Sequence, residues 1–345
     1  MTTDNSVDTR FSSQYIDLLS ERVGGRAVAC SDQWFAECDN LVKPGRGVFK
    51  EGVFVATGQW MDGWESRRSY GRSNRRPQEQ DYDWCILRLG IPGIIRGFDI
   101  DTCHFRGNAP LFAGVEATCV EGEADADSAW TEILSKSTIV ANSQNLFDCQ
   151  SDREWTHLRL KMYPDGGIAR FRAYGDALIQ AKNFVEGELV DLASIVNGGR
   201  GIDASDCFFS SPSNLIMPGR GENMGDGWET KRRRDNGNDW AMIKLGVRGS
   251  IRKVIVDTAH FKGNYPDRMR LEAVCLPSGQ SPDADTKWQE VIGETPLYAD
   301  REHLFIDQIK VAQDVEFTHV RLNIYPDGGI SRLRIIGQPN WESLL

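Results

Sequence analysis

The sequence predicts an all-β protein built from two tandem, homologous β-sandwich domains. The first observation is an internal repeat, in which Glu154–Arg172 returns as Glu316–Arg334 with 13 of 19 aligned residues identical. The second is a two-residue alternation of apolar and polar side chains, as in Trp155–Tyr163, which is typical of half-buried strands. The third is frequent glycine and proline between short apolar runs, which favours antiparallel sheets over helices.

The repeat defines the domain organisation. Residues 17–47 align without a gap on residues 191–221, and later paired motifs extend the match through both halves of the chain. A repeat period of roughly 160 residues is too long for a solenoid, so each copy is a whole domain. We therefore predict domain 1 over residues 1–178, with a polar tail at its N-terminus, and domain 2 over residues 179–345.

The predicted strands follow in order along each copy. Each is a short apolar-rich run bounded by turn-forming residues. The last two strands of each copy flank Tyr-Pro-Asp-Gly-Gly, whose proline and glycines suit a tight turn, so a β-hairpin closes each domain. Short helices are predicted only at 13–20 and 34–38. The other predicted strands are residues 84–89, 94–102 and 115–120 in the first copy, and 240–245, 251–258 and 271–276 in the second.

Composition restricts the classes of partner. A net charge of −10 and a pI near 5.1 argue against a surface that binds nucleic acid or an anionic membrane. Arginine and lysine nevertheless concentrate near a tryptophan at 67–68, 72–76 and 231–234, which favours a small anionic ligand. The alternative is that these cations are simply solvated on surface loops.

Cysteine usage and the lack of long apolar segments predict a soluble protein. Of the eight cysteines, only Cys119 and Cys275 correspond between the copies, so no shared disulfide framework is predicted. The sequence shows neither a signal peptide nor a membrane-spanning segment, and we expect a cytoplasmic location. The terminal Glu-Ser-Leu-Leu is not a clear peroxisomal signal, and a peroxisomal location is not excluded.

The most specific local pattern is Asp-Gly-Trp-Glu followed by cationic residues, at residues 62–68 and 226–232. It brings two carboxylates, an indole and two cations into seven residues. Each copy also carries His-Phe-Arg/Lys-Gly-Asn at a strand end, beginning at His104 and His260, and catalytic groups tend to lie on such loops. The alternative is a tight structural loop whose tryptophan fills the core and whose charges form surface ion pairs.

The sequence predicts no metal site and no cofactor. It contains no His-x-His, His-Glu-x-x-His or clustered Cys/His spacing, whereas a structural zinc site needs four convergent ligands. A divalent cation such as Mn²⁺, held by carboxylates, is neither required nor excluded by the spacing.

Three motifs, each present twice, carry a family resemblance: Asp-Gly-Trp-Glu-x-Arg/Lys-Arg, Asp-Thr-x-His-Phe-x-Gly-Asn and Tyr-Pro-Asp-Gly-Gly-Ile-x-Arg. Together they resemble the allantoicase (allantoate amidinohydrolase) family over residues 15–337. The resemblance implies that each β-sandwich is a jelly roll, that the protein is a homo-oligomer, and that it acts in purine breakdown. The implied reaction converts allantoate, the small-molecule partner, and water into ureidoglycolate and urea.

That reaction needs a proton donor, a base and a cation for the substrate carboxylate. Histidine suits the acid near neutral pH, a carboxylate suits the base, asparagine suits a urea carbonyl, and arginine suits the substrate carboxylate. The catalytic candidates are Glu65, His104, Glu229 and His260. The substrate-binding candidates are Asp62, Trp64, Arg67, Arg68, Asn108, Arg170, Asp226, Trp228, Arg232 and Asn264.

Two other functions stay open on the sequence. A tandem β-sandwich binding protein could hold a sugar or another small polar ligand with its tryptophan-bearing loops, without consuming it. An enzyme of the same kind could instead act on another ureido compound, such as ureidoglycolate. The sequence also leaves open whether one repeat or both carry a working site.

Overall fold

A computed structural model describes residues 8–69, 81–179 and 181–344 of the chain. Within these ranges the regular secondary structure consists of β-strands and short 3-10 helices, without an α-helix. The chain divides into two compact units, Met1–Leu178 (domain 1) and Ile179–Leu345 (domain 2). No helix in the described ranges has the length and apolar character needed to span a bilayer.

Domain 1 consists of short strands around one long strand, β6. The strands are β1 (Ile16–Asp17), β2 (Arg26–Cys30), β3 (Phe54–Val55), β4 (Gly58–Gln59), β5 (Trp64–Glu65), β6 (Asp83–Asp101), β7 (Phe112–Thr118), β8 (Thr131–Thr138), β9 (Gln144–Asp148), β10 (Glu154–Tyr163), β11 (Gly167–Ile168) and β12 (Arg170–Ala177). Its 3-10 helices are Glu21–Val23 and Cys38–Val42.

Domain 2 repeats this order, except that nothing in its described part corresponds to the β3–β4 hairpin. The strands are β13 (Val190–Asp191), β14 (Arg200–Ala204), β15 (Trp228–Glu229), β16 (Asp239–Asp257), β17 (Arg268–Val274), β18 (Gln289–Pro296), β19 (Glu302–Phe305), β20 (Glu316–Tyr325), β21 (Gly329–Ile330) and β22 (Arg332–Pro339). The 3-10 helices from the linker onwards are Ala181–Asn183, Ile195–Asn197, Pro212–Ile216, Met224–Asp226 and Trp341–Ser343.

The long strand β6 belongs to two sheets at once. The first half of β6 pairs with β2 and with β10. Beyond β10, the sheet continues through β7 to β8. The second half of β6 pairs with β12 on one side and β9 on the other. In domain 2, β16 has the same antiparallel neighbours in the same arrangement. Each domain therefore has two sheets that share one strand, as expected of a β-sandwich.

The core of each domain follows the strand alternation that the sequence predicts. Every second residue of β6 from Leu87 to Ile95 is buried, because successive side chains point to opposite faces of a sheet. On β10, Leu158, Leu160 and Met162 are fully buried. Burial of these side chains against those of the facing sheet supplies the main favourable free energy of folding in each domain.

The closing hairpin of each domain packs directly on the loop that carries the asparagine found in both copies of the repeat. The Gly167 N–H donates to the Asn108 carbonyl at 2.7 Å, and the Gly329 N–H donates to the Asn264 carbonyl at 2.8 Å. Gly166 has φ of +143°, and a Cβ added there would lie 2.7 Å from the Asn108 carbonyl oxygen. The Asp-Gly-Gly turn therefore needs glycine both for its backbone conformation and for this close approach.

Five local predictions need correction. The strands predicted at 84–89 and 94–102 are one continuous strand, β6, and those predicted at 240–245 and 251–258 are likewise one strand, β16. Residues 13–20 form turns, β1 and no helix, and the helical turn predicted at 34–38 begins later, at Cys38. The polar tail ends before Phe11, which is only 5% exposed and stacks on Tyr174. The first seven residues and the arginine-rich run at 72–76 lie outside the described residues.

Candidate active site

Each domain holds a carboxylate and an amide side chain in direct contact. In domain 1, β5 pairs with β11 and places Glu65 beside the loop after β6. Asn108 of that loop donates to Glu65 Oε1 at 2.8 Å. In domain 2, Asn264 donates to Glu229 Oε1 at 2.6 Å. The structure thus brings together two motifs that lie far apart in sequence, and it does so identically in both copies.

The motif tryptophans lie in the core and do not face this pair. Trp64 and Trp228 are both 0% exposed. The Trp64 Nε1–H donates to the Asp32 carbonyl at 2.8 Å, and the Trp228 Nε1–H donates to the Asp206 carbonyl at 3.0 Å. Since both faces and the polar edge of each ring are occupied by the protein, the expectation that these tryptophans bind substrate is wrong in this conformation.

The motif aspartates form buried ion pairs with the hairpin arginines. Asp62 Oδ2 lies 2.7 Å from Arg170 Nη2, and their side chains are 9% and 4% exposed. Asp226 and Arg332 repeat the pair at 2.8 Å. Arg170 also donates to the backbone carbonyls of Asp62 and Ala169. These groups join the hairpin to the motif loop, and the assignment of Asp62, Asp226 and Arg170 to substrate binding stays a prediction.

The two candidate histidines are held by backbone groups. His104 and His260 have φ of 69° and 72°, in the left-handed region that few residues other than glycine adopt. The Nε2 of His104 lies 3.0 Å from the Gly47 carbonyl oxygen, and that of His260 lies 2.7 Å from the Gly221 carbonyl oxygen. Because a carbonyl oxygen only accepts hydrogen bonds, each Nε2 carries a proton that is already engaged. Within the described residues neither histidine is hydrogen-bonded to the carboxylate–amide pair, and their assignment as general acids stays a prediction.

The other two candidate arginines of domain 1, Arg67 and Arg68, are also paired with aspartates. Arg67 lies 2.6 Å from Asp32 and over the ring of the exposed Trp34. Arg68 lies 3.1 Å from Asp165, a residue of the closing turn that is 2% exposed. A half-exposed pair of this kind contributes little to stability, but it holds the guanidinium in place.

Domain 2 has an open cleft of about 630 Å³ at the carboxylate–amide pair. Arg232, the counterpart of Arg68, is exposed and lines this cleft, and its guanidinium has no hydrogen bond or ion pair within the described residues. Asp327, the counterpart of Asp165, accepts the Arg233 N–H at 2.8 Å, as Asp165 accepts the Ser69 N–H, but within the described residues it has no bond to a guanidinium. The cleft is lined by Phe209, Glu229, Thr230, Arg232, Arg233, Gly263, Asn264, Tyr265, Asp267, Pro326, Asp327 and Gly328.

The local environment of Glu65 favours its protonated form. Burial raises the pKa of Glu65 above the usual range, while the hydrogen bond from Asn108 and the charge of Arg68 oppose this shift. A carboxyl group with a raised pKa can donate a proton at pH values where an ordinary glutamate is ionised. Within the described residues, no group of three or more His, Cys, Asp or Glu side chains is arranged to hold a metal ion.

Phe209, Tyr265 and Asp327 are among the residues lining the domain 2 cleft that were not site candidates from the sequence. Phe209 is 59% exposed there, an unusual position for a large aromatic side chain, and Tyr265 follows the paired asparagine directly. Asp327 had the signature of a turn residue, since aspartate commonly stabilises turns. The one available signal was proximity in sequence, because Tyr265 adjoins Asn264 and Asp327 lies in the repeated hairpin.

The fold and the cleft define a duplicated β-sandwich protein whose second domain has an open cleft lined by a carboxylate, an amide and a guanidinium. A family model described as Allantoicase repeat matches residues 16–178 and 190–340. The chain therefore belongs to the allantoicase family.

Individual relatives agree with this assignment. An allantoicase from Dictyostelium discoideum is 44% identical over 344 residues, covering 96% of this chain and 90% of that protein. A probable allantoicase from Pseudomonas fluorescens (strain Pf0-1) is 44% identical over 329 residues, covering 94% and 96% of the two chains. The crystal structure of allantoicase from Saccharomyces cerevisiae superposes with a TM-score of 0.78 at 38% identity, covering 95% of both chains. The fold predicted from the sequence is thereby confirmed.

Proposed function

We propose that the chain hydrolyses allantoate to ureidoglycolate and urea, in the breakdown of purines. Family membership over nearly the whole chain supports the reaction. The single structural observation that carries the site assignment is the cleft of domain 2, where Glu229, Asn264 and the unpaired Arg232 meet. We place the working site there, because domain 1 holds its corresponding arginine against Asp165.

The substrate matches these three groups. Allantoate carries one carboxylate and two ureido groups on the same carbon atom. An arginine fork binds a carboxylate through two parallel hydrogen bonds, so Arg232 anchors the substrate. Asn264 already donates to Glu229 Oε1, and its amide oxygen, which accepts no hydrogen bond from any residue the structure describes, can accept one from a ureido N–H. Glu229 Oε2, which has no hydrogen bond within the described residues, faces the departing nitrogen.

The reaction proceeds by elimination followed by addition. The carboxyl group of Glu229 gives its proton to the nitrogen of the departing ureido group. The lone pair of the second ureido nitrogen forms a C=N bond as the C–N bond to urea breaks. Water then adds to the same carbon, and the Glu229 carboxylate takes up the proton that water releases. One acid–base group thus serves both steps and ends in its starting state.

Urea release from allantoate by the purified, chelator-treated protein tests the reaction. We expect turnover without added metal, since the proposal includes no cofactor. Rescue of activity by Mn²⁺ alone would overturn that part of the proposal. A folded protein that binds allantoate without releasing urea would instead support the binding-module alternative, and a higher kcat/KM for ureidoglycolate would support the other-substrate alternative.

Matched variants of the two domains test the site. Glu229→Gln should lower kcat/KM by about 10²–10⁴, the range for loss of a general acid or base, and Glu65→Gln should change it less than about threefold. Arg232→Ala should mainly raise KM, because the arginine binds the same carboxylate in ground state and transition state, and Arg68→Ala is its control. A large effect only of the domain 1 variants would move the site to domain 1.

The remaining expectations concern assembly and location. We propose a homo-oligomer, to be checked by light scattering of the purified protein at two concentrations. A mass near 38.7 kDa, the value for one chain, would refute it. We propose a cytoplasmic location, to be checked by cell fractionation, with co-sedimentation with peroxisomes as the contrary result.

A further inference from the structure

Domain 1 contains a thiol cluster, Cys30, Cys38 and Cys85, that has no counterpart in domain 2. Cys30 ends β2, Cys85 lies on β6, and Cys38 begins a 3-10 helix. All three are free cysteines. The corresponding positions of the second copy carry no sulfur and are Ala204, Pro212 and Ala241. The repeated fold therefore does not require cysteine at any of these positions.

The register of β2 on β6 places two of these thiols opposite each other. The two strands are antiparallel, and Cys30 is the direct cross-strand partner of Cys85. The Ser31 N–H donates to the Trp84 carbonyl at 2.9 Å, so Ser31 and Trp84 form a hydrogen-bonded pair and Cys30 and Cys85 form the adjacent non-hydrogen-bonded pair. Cα atoms of such a pair are about 4.5 Å apart, and both side chains lie on the same face of the sheet.

The third thiol lies against the other two. The Asp39 carboxylate accepts a hydrogen bond from the Ala27 N–H, which holds the start of the 3-10 helix against β2. The neighbouring Cys38 sulfur accepts hydrogen bonds from the thiols of Cys30 and Cys85. Sulfur atoms in hydrogen-bonding contact need only a small side-chain rotation to form a disulfide, whose geometry is otherwise demanding.

The surroundings give the three thiols different reactivity. The hydrogen bonds from Cys30 and Cys85 lower the pKa of Cys38, and the same contact raises the pKa of Cys30. Because the thiolate is the reactive form of cysteine, Cys38 is the nucleophile of the cluster. Cys85 is 0% exposed, and the Ile86 carbonyl at 3.8 Å competes for its proton. Cys30 is partly exposed and is therefore the more accessible partner of Cys38.

We propose that Cys38 and Cys30 form a reversible disulfide when the protein meets a peroxide. The Cys38 sulfur attacks one peroxide oxygen, the O–O bond breaks, and Cys38 becomes a sulfenic acid. The Cys30 sulfur then attacks the Cys38 sulfur, and the hydroxyl group leaves as water. With hydrogen peroxide, two thiols and one peroxide give one disulfide and two water molecules, and the peroxide takes up the two electrons that the sulfurs lose. A small thiol reverses the reaction by thiol–disulfide exchange.

The disulfide closes a loop that supports the Asp-Gly-Trp-Glu motif of domain 1. Within the loop of residues 30–38, Ala36 pairs with Glu65. Just beyond it, Asn40 Nδ2 donates to the Gly63 carbonyl at 3.0 Å. A cross-link restricts the unfolded chain, so oxidised domain 1 should unfold at a higher urea concentration than reduced domain 1. This site does not depend on the proposed hydrolysis, because none of its residues lines the domain 2 cleft.

Peptide mapping of the full chain after treatment with hydrogen peroxide tests the proposal. Trypsin releases Cys30 and Cys38 on one peptide, residues 27–46, because Lys43 is followed by proline, and it releases Cys85 on another. The 27–46 peptide should lose two hydrogen atoms and refuse an alkylating label, and dithiothreitol should restore both. A peptide that still takes two labels, a cross-link from Cys38 to Cys85, or oxidation confined to the exposed cysteines would overturn the proposal. The exposed cysteines are Cys119, Cys207 and Cys275.

Two matched variants separate the disulfide from general oxidation. Cys30→Ala removes the resolving thiol at a position where the second copy already carries Ala204. Cys149→Ala is the control, because Cys149 is 6% exposed like Cys38 and its thiol donates to the Ile133 carbonyl at 3.9 Å. Peroxide should raise the urea midpoint of domain 1 in the unmodified chain and in Cys149→Ala, and dimedone should trap a sulfenic acid at Cys38 only in Cys30→Ala. The same midpoint shift in Cys30→Ala, or no dimedone adduct there, would refute the assigned pair.

Discussion

The buried pair of Asp62 and Arg170 allows a quantitative test of whether the motif aspartate is structural. Asp62→Ala removes the carboxylate that lies 2.7 Å from Arg170 Nη2 and accepts the Val48 N–H at 2.8 Å. It leaves a guanidinium that is 4% exposed without a counter-charge. Two backbone carbonyl groups, of Asp62 and Ala169, still accept from Arg170 Nη1 in the variant.

The expected loss of stability follows from these contacts. Breaking a buried ion pair by removal of one partner costs about 3–5 kcal/mol. The retained carbonyl contacts place the cost at the lower end, about 3 kcal/mol, and the exposed Val48 N–H adds little because water can replace its partner. Asp62→Ala/Arg170→Met should recover part of this loss, because no charge is then left buried without a partner.

Urea unfolding, combined with hydrogen exchange to localise the change to domain 1, measures these values. The two-domain chain requires that localisation, since its domains can unfold in separate steps. Arg67→Ala is the control, because its pair with Asp32 leaves Arg67 41% exposed and should contribute no more than about 1 kcal/mol. A loss below about 1 kcal/mol for Asp62→Ala, or equal losses for the single and double variants, would refute the reasoning.

Three further results are expected. Burial raises the pKa of Asp99 from 3.8 to about 6, so this carboxyl contributes stability near pH 4 that is lost as the pH rises through 6. Asp99→Asn should therefore stabilise domain 1 by up to roughly 3 kcal/mol at pH 7 and little at pH 4, as measured by urea unfolding at both pH values. Trp64→Phe should lower stability by about 2 kcal/mol through the lost buried hydrogen bond and core volume, while the KM for allantoate should not change. His260→Asn, which tolerates the left-handed backbone, should lower kcat less than about tenfold, whereas loss of a general acid would lower it about 10²–10⁴-fold.

The sequence predicted the fold because β-structure has a simple periodicity and because the repeat supplied a second copy of every strand. It could not show that 84–89 and 94–102 form one strand, since Pro92 and Gly93 between them read as a break. In the structure these residues lie where β6 passes from one sheet to the other. Pro92 and Gly93 therefore mark the point where the neighbouring strands of β6 change, and β6 itself continues through them.

The candidate site was predicted in part. The sequence indicated both Glu65 and Asn108 as site residues, because each lies in a polar loop of the kind that tends to carry catalytic groups. The burial of Trp64 could not be predicted from the sequence, because a tryptophan between two loop residues can either contact a ligand or lie in the core. The contact of His104 with the Gly47 carbonyl could not be predicted, because the sequence around His104 carries no indication of a left-handed backbone.

The shared strand β6 also determines when domain 1 can fold during synthesis. The ribosome releases the chain from its N-terminus, and β6 is complete once Asp101 has emerged. Its partner β12 ends at Ala177, so at roughly 5–20 residues per second the second half of β6 waits for several seconds without that neighbour. During this interval the nascent chain exposes an apolar, unpaired strand edge, and we expect it to be a substrate for ribosome-associated chaperones.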